Sequence, residues 1–227
     1  MKIDQQEVLR YLGYRNQRLD EAMEMLIAKC LVEIKAVLRK DVVYNTYNLE
    51  KQGNHVKLIS TNLIFPSKDL SKRLQYSDRC ALMAATLGLE TDQRIASYSR
   101  LDLTKGIVMD ACATAAIEAL CDEAQAEIRR TAAREGYAIT NRYSPGYGDL
   151  SITHQKDILE VLKAYTRIGL TVNENYIMLP RKSVTALIGL EKREARTEKA
   201  AAKDKCDGCQ AENCRYRKGG VIDEKKA

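Results

Sequence analysis

The 227-residue chain carries 37 Lys and Arg against 31 Asp and Glu, a net charge of +6, and 45% of its residues are hydrophobic. That much apolar material supports one substantial core, and acids and bases intersperse over most of the length, which argues against a dedicated nucleic-acid surface. No uninterrupted apolar run approaches the length of a bilayer span, and Asp4 and Glu7 stand where a secretory leader would be basic, so a cytoplasmic protein without membrane association is expected.

Residues 4–12 read as a short helix with Val8, Leu9 and Leu12 on one side, ended by Gly13. From Leu19 to Leu38 the apolar positions, among them Met23, Leu26, Ile27, Cys30, Ile34 and Val37, keep the three-and-four spacing of a buried helical stripe, with Asp20 placed to cap it. The period then changes to two. Val43, Asn45, Tyr47 and Leu49 alternate with their neighbours, and Gln52-Gly53-Asn54 turns the chain into a second strand through Val56, Leu58 and Ile59, an antiparallel hairpin. Ser67 begins a short helix with Leu70 and Leu74. The compact apolar run from Arg79 to Leu87, closed by Gly88, reads as a central strand, although its Ala, Leu and Met also suit a helix.

Residues 90–99 read as helical, and the longest helix follows from Leu103 to about Arg134, rich in Ala and therefore able to lie close to another element. Its acids Glu118, Asp122, Glu123 and Glu127 would ordinarily form a solvated face. A short strand, 137–139, leads to a further helix over about 153–168 with Ile158, Leu159, Val161, Leu162 and Tyr165 turned inward, and Ser183 to Leu190 is strand-like. Four cysteines (Cys30, Cys80, Cys112, Cys121) fall inside these apolar segments, where reduced thiols behave as small hydrophobes. His55 and His154 are isolated and read as surface or turn residues.

Three segments are unlike packing. Arg142-Tyr143-Ser144-Pro145-Gly146-Tyr147-Gly148-Asp149 joins a cation and two phenols to a Pro-Gly turn. Such a turn would set Arg142 and Tyr147 on one rim and suit a small zwitterion, the guanidinium offering forked donors to a carboxylate; Pro-Gly is equally ordinary loop chemistry. Pro180 breaks the backbone before the last strand. Beyond Leu190 the composition turns to Glu, Lys, Arg and Ala, an expected exposed helix over 191–205, followed by Cys206-Asp207-Gly208-Cys209 and then Cys214. The C-x-x-C-x-x-x-x-C spacing can grip zinc or an iron-sulfur cluster, and a thiol-bearing tail or a redox role for the cysteines are the alternatives.

The segment Arg142 to Tyr147 resembles the R-x-x-x-G-Y motif of the activation domain of cobalamin-dependent methionine synthase, and Met178-Leu179-Pro180-Arg181-Lys182-Ser183-Val184-Thr185 is similar to that family's second signature, with one helix between the two. The resemblance is good over roughly 103–190 and weak before that, and it looks like the stand-alone bacterial form. It implies a single α/β (α+β) domain over 1–190 built on a twisted antiparallel sheet flanked by helices, with 191–227 as a charged cysteine-bearing tail. It further implies S-adenosylmethionine as ligand, held by Arg142, Ser144, Gly146, Tyr147 and Ser183, with Glu123 or Glu127 from the acidic helix. The implied task is reductive methylation of cob(II)alamin, the electron coming from a flavodoxin-type donor. No D-x-H-x-x-G segment is present, so the cobalamin is expected on a partner, a methionine synthase or a related corrinoid protein. The alternative expectation is a metal or iron-sulfur protein, with Cys206, Cys209 and Cys214 as ligands, passing electrons to another corrinoid protein.

Overall fold

The computed structural model describes residues 1–14 and 17–193, and two long strands buried on both faces form their centre. These are β4 (Ser77–Thr86) and β8 (Ser183–Lys192), paired antiparallel with Thr86 opposite Ser183 and Leu82 opposite Leu187. Alternation explains why both read as unbroken apolar runs: Ala81, Met83 and Ala85 enter one core cluster, and Cys80, Leu82 and Ala84 the other. With helices on both faces, neither side of the strand needs polar residues. Truncating a fully buried side chain such as Met83 or Leu82 to alanine would cost about 2–5 kcal/mol.

The remaining elements, in chain order, are α1 (Gln5–Tyr11), α2 (Glu21–Val37), β1 (Asp41–Gln52), β2 (His55–Leu58), β3 (Ile64–Pro66), α3 (Lys68–Arg73), α4 (Leu89–Leu101), α5 (Leu103–Arg134), β5 (Tyr137–Ile139), α6 (His154–Val161), α7 (Ala164–Ile168), β6 (Thr171–Val172) and β7 (Met178–Leu179). Six strands form an antiparallel sheet in the order β3-β2-β1-β4-β8-β5, and β6 and β7 make a separate ribbon. The α/β class and the hairpin expected from the sequence are present. Helices α1, α2 and α5 pack on one face of the sheet, and α3, α6 and α7 lie with the other core cluster. Buried alanines at 111, 113, 115, 116 and 124 let α5 lie close against its neighbours.

Helix starts follow the capping signals. Asp20 Oδ1 accepts from Met23 N–H at 2.7 Å, Ser67 Oγ from Leu70 N–H at 3.0 Å, and Asp102 Oδ1 from Lys105 N–H at 3.0 Å.

Two expectations change. The helix over 153–168 is two helices, because Lys163 adopts a left-handed conformation (φ +52°) between α6 and α7. That rotation carries Tyr165, expected inside, out to 72% exposure, while Ile158, Leu159 and Leu162 stay buried. The last strand also runs past Leu190 to Lys192. The rest of the expected 191–205 helix, and Cys206, Cys209 and Cys214, lie outside the described residues. No helix among the described residues is long and apolar enough to cross a membrane.

Candidate functional site

The stretch that opens with Arg142 grows out of β5 along the edge of β8. Thr140 N–H donates to Gly189 O at 2.9 Å, and Tyr143 and Leu187 exchange both backbone bonds at 2.9 and 2.8 Å. Extended backbone sends successive side chains to opposite faces. Arg142 therefore reaches α5, whereas Tyr143 packs into the cluster beside α6 and α7.

The Arg142 side chain is 6% exposed, and its guanidinium is ringed by acceptors. Nη1 donates to Gln125 Oε1 at 2.9 Å and meets Asp122 Oδ1 at 2.7 Å, and Nη2 donates to Glu118 Oε2 at 3.1 Å. Burial pulls its pKa down, but Cys121 and the carboxylates of Asp122 and Glu118 push it up by more, so it ends above the ordinary guanidinium value. Burial, and next the Glu118 charge, likewise raise the pKa of the half-buried Tyr11 phenol, which places α1 beside the same carboxylate.

The turn after Arg142 is tied down along its length. Pro145 is buried, Gly146 takes φ +91°, and its N–H donates to Leu150 O at 2.8 Å. Tyr143 Oη donates to Tyr147 O at 2.9 Å. Asp149 closes the segment onto α3, accepting from Ser67 Oγ, from Lys68 N–H at 2.7 Å and from Asp69 N–H at 3.3 Å. These donors, Ser67 first, lower its pKa. Gly148 takes φ +52°, and a β-carbon there would crowd the ends of the Asp69 and Tyr143 side chains, so any other residue strains the backbone and displaces both. Ser144 is half-buried, and Tyr147 is 66% exposed with its ring 6.5 Å from that of Tyr143. Arg142 and Tyr147 thus serve different faces, and the single rim expected from the sequence does not form.

The second signature docks on the same helix. Lys182 Nζ donates to Thr114 Oγ1 at 2.8 Å and pairs with Asp110 Oδ1 at 2.9 Å. Asp110, Thr114, Glu118 and Asp122 are each four residues apart, one polar stripe running about 18 Å along α5. Both signatures place a cation on this stripe. Between them one edge of β8 is unpaired among the described residues: Leu187 and Gly189 turn their backbone groups outward to Tyr143 and Thr140, and the same two-residue period turns the N–H and C=O of the buried Thr185 to that edge. Ser183 is 8% exposed and turned inward, its Oγ donating to Pro180 O at 2.7 Å and accepting from the Thr86 hydroxyl at 2.8 Å.

The acids singled out on α5 separate into two faces. Glu118 and Asp122 hold Arg142. Glu123 pairs with the Met1 ammonium at 2.9 Å and Glu127 accepts from Tyr44 Oη at 3.1 Å, so neither joins the Arg142 cluster. At 100° per residue, positions 123 and 127 lie about 140–180° around the helix from 118. Four-residue spacing from Asp110 is the sequence signal for the acids that contact Arg142. Among the described residues no group of three His, Cys, Asp or Glu gathers as a metal site. His154 packs edge-on to Phe65.

The family model for the vitamin B12-dependent methionine synthase activation domain matches residues 32–198. The chain belongs to this family. Among solved structures, one described as the MetH reactivation domain bound to AdoHcy is similar in fold, with a TM-score of 0.59 and 17% identity over 82% of this chain and 70% of that one. No curated protein matches the chain. Membership in the activation-domain family extends well upstream of residue 103, where the motif resemblance fades: it takes in part of α2, the β1–β2 hairpin, β4 and α4. Of those elements, β1, β2 and β4 belong to the sheet on which the two signatures sit.

Proposed function

We propose that the chain binds S-adenosylmethionine at the β8 edge beside Arg142 and presents its methyl group to cobalamin carried by a separate methionine synthase. The observation that carries the reading is the Arg142 cluster, a nearly buried guanidinium bracketed by the carboxylates of Glu118 and Asp122 at an open strand edge, in a chain of the activation-domain family. The ligand is charge-complementary to such a cluster. Its carboxylate takes donors from Arg142, and its ammonium and sulfonium are favoured near Glu118 and Asp122. The Thr185 N–H and C=O, which no strand among the described residues pairs, are the peptide-like donor and acceptor for a heteroaromatic edge. Gly146 and Tyr147 shape the turn beyond Arg142, with Ser144 within it, and Ser183 acts by fixing the start of β8.

Reduced cobalamin on the partner supplies the nucleophile. The chain's own part is to bind and orient: a sulfonium held in line gains effective concentration, and no catalytic acid or base is needed. The electron comes from an external one-electron donor of flavodoxin type. The test is an anaerobic assay with a cobalamin-bearing methionine synthase that lacks its own activation domain, following methylcobalamin formation by absorbance. The chain accelerates methylation only when S-adenosylmethionine and reductant are both present. No acceleration overturns the proposal.

The C-x-x-C-x-x-x-x-C spacing favours a second proposal, in which Cys206, Cys209 and Cys214 hold zinc or an iron-sulfur cluster and the protein passes electrons to a corrinoid protein. Metal analysis of anaerobically purified protein tests it, and the absence of both zinc and iron removes it.

A further inference from the structure

A cleft of 480 Å³ lies between α4, the first part of α5 and the loop that enters β8, and the site above makes no use of it. Its acids are engaged. The Asp92 carboxylate accepts the backbone N–H groups of Arg181 and Lys182, and Asp110 is paired with Lys182. Two of its cations are not: among the described residues the guanidiniums of Arg100 and Arg181, both exposed cleft-lining residues, have no hydrogen bond or ion pair.

The walls that carry them are fixed. A β-carbon on Gly106 would stand 2.7 Å from Ser99 Cα, so α4 and α5 meet backbone to backbone one residue before Arg100. The opposite wall is clamped by Asp92, by Ser183 Oγ on Pro180 O and by Leu87 N–H donating to Lys182 O at 3.0 Å. Arg100 and Arg181 line one cleft with no acceptor for either guanidinium among the described residues, and an oxyanion there takes forked charge-assisted bonds. Ile95 and Ala96 give the cleft an apolar lining. We propose that this cleft binds the phosphate group of a small organic phosphate, the oxyanion between Arg100 and Arg181 and the organic part over Ile95 and Ala96.

The proposal does not depend on S-adenosylmethionine binding. Its test is a titration of the full ¹⁵N-labelled chain with inorganic phosphate, pyrophosphate and adenosine 5′-monophosphate, with sodium acetate and sodium chloride at matched ionic strength as controls. The expected result is saturable shifts of the amide signals of Arg100 and Lys182 with the phosphates only. Affinity should be weakened roughly tenfold in Arg100→Ala and in Arg181→Ala and left unchanged in Glu118→Gln. Linear drift without saturation, equal response to acetate, or wild-type affinity in both arginine variants overturns the proposal. Both substitutions are at exposed positions, and thermal melting verifies that each variant is folded.

Discussion

Replacing Arg142 by methionine tests the cluster at the centre of the site without involving any ligand. The substitution keeps much of the buried stem and removes three charge-assisted contacts, to Gln125, Asp122 and Glu118. Hydrogen bonds of this type are worth about 1.5–3 kcal/mol each when sheltered. Glu118 is 36% and Asp122 66% exposed, so water recovers part of what each carboxylate loses, whereas Gln125 is buried and does not. A net loss of about 2–3 kcal/mol follows, which for a domain of this size lowers the melting temperature by roughly 5–10 °C. Differential scanning calorimetry measures it. The sign of the coupling is a sharper test: with the cation gone, Glu118 and Asp122 are like charges on one helix face, so Glu118→Gln, destabilising in the wild type, becomes neutral or stabilising beside Arg142→Met. A melting temperature within about 2 °C of wild type, or Glu118→Gln equally costly in both backgrounds, would refute the reasoning.

Gly106→Ala drives a methyl against Ser99 backbone atoms at 2.7 and 2.8 Å and is expected to cost about 1–3 kcal/mol in urea unfolding, despite the higher helix propensity of alanine. Burial pushes the Cys80 and Cys112 thiols up to about 12 and Cys30 to about 11, and Cys121 is also buried, so maleimide labelling of native protein followed by peptide mapping should leave all four unmodified until denaturant is added. The hydrogen bond from Lys105 lowers the pKa of Glu33, as that from Ser67 lowers Asp149. Each folded-state pKa lies below its unfolded value, so their stabilisation is complete above the ordinary carboxylate range and is lost as pH falls through the folded pKa. Thermal melts should decline below about pH 4.5, with a shallower decline in Glu33→Gln and Asp149→Asn; an unchanged slope in both variants contradicts this.

Where one physical signal dominated, the fold was legible in the residues. The Asp20 and Ser67 caps and the hairpin at Gly53 each follow from a local rule, whereas the run at 79–87, read as a strand, also suits a helix by composition. Strands of two residues, β6 and β7, carry too few alternations to register as a period. The break at Lys163 was hidden because a lysine in the left-handed region has no sequence signature of the kind glycine provides. At the site, the Pro-Gly turn and Arg142 were visible as an unusual segment, but the partner of Arg142 depended on which face of α5 meets the edge of β8. Motif proximity pointed to Glu123 and Glu127, and the helical angle selects Glu118 and Asp122. Ser183, expected from the linear motif as a ligand contact, is buried with its Oγ on Pro180 O.

The central claim is that the Arg142 cluster holds a zwitterionic sulfonium. Isothermal titration of the full chain with S-adenosylmethionine, repeated with S-adenosylhomocysteine, tests it most directly. Saturable one-site binding of both is expected, weakened roughly tenfold or more in Arg142→Lys, which keeps the charge but loses the fork, and weakened in Glu118→Gln, with both variants folded by melting. Absence of binding at millimolar ligand, or wild-type affinity in both variants, would contradict it.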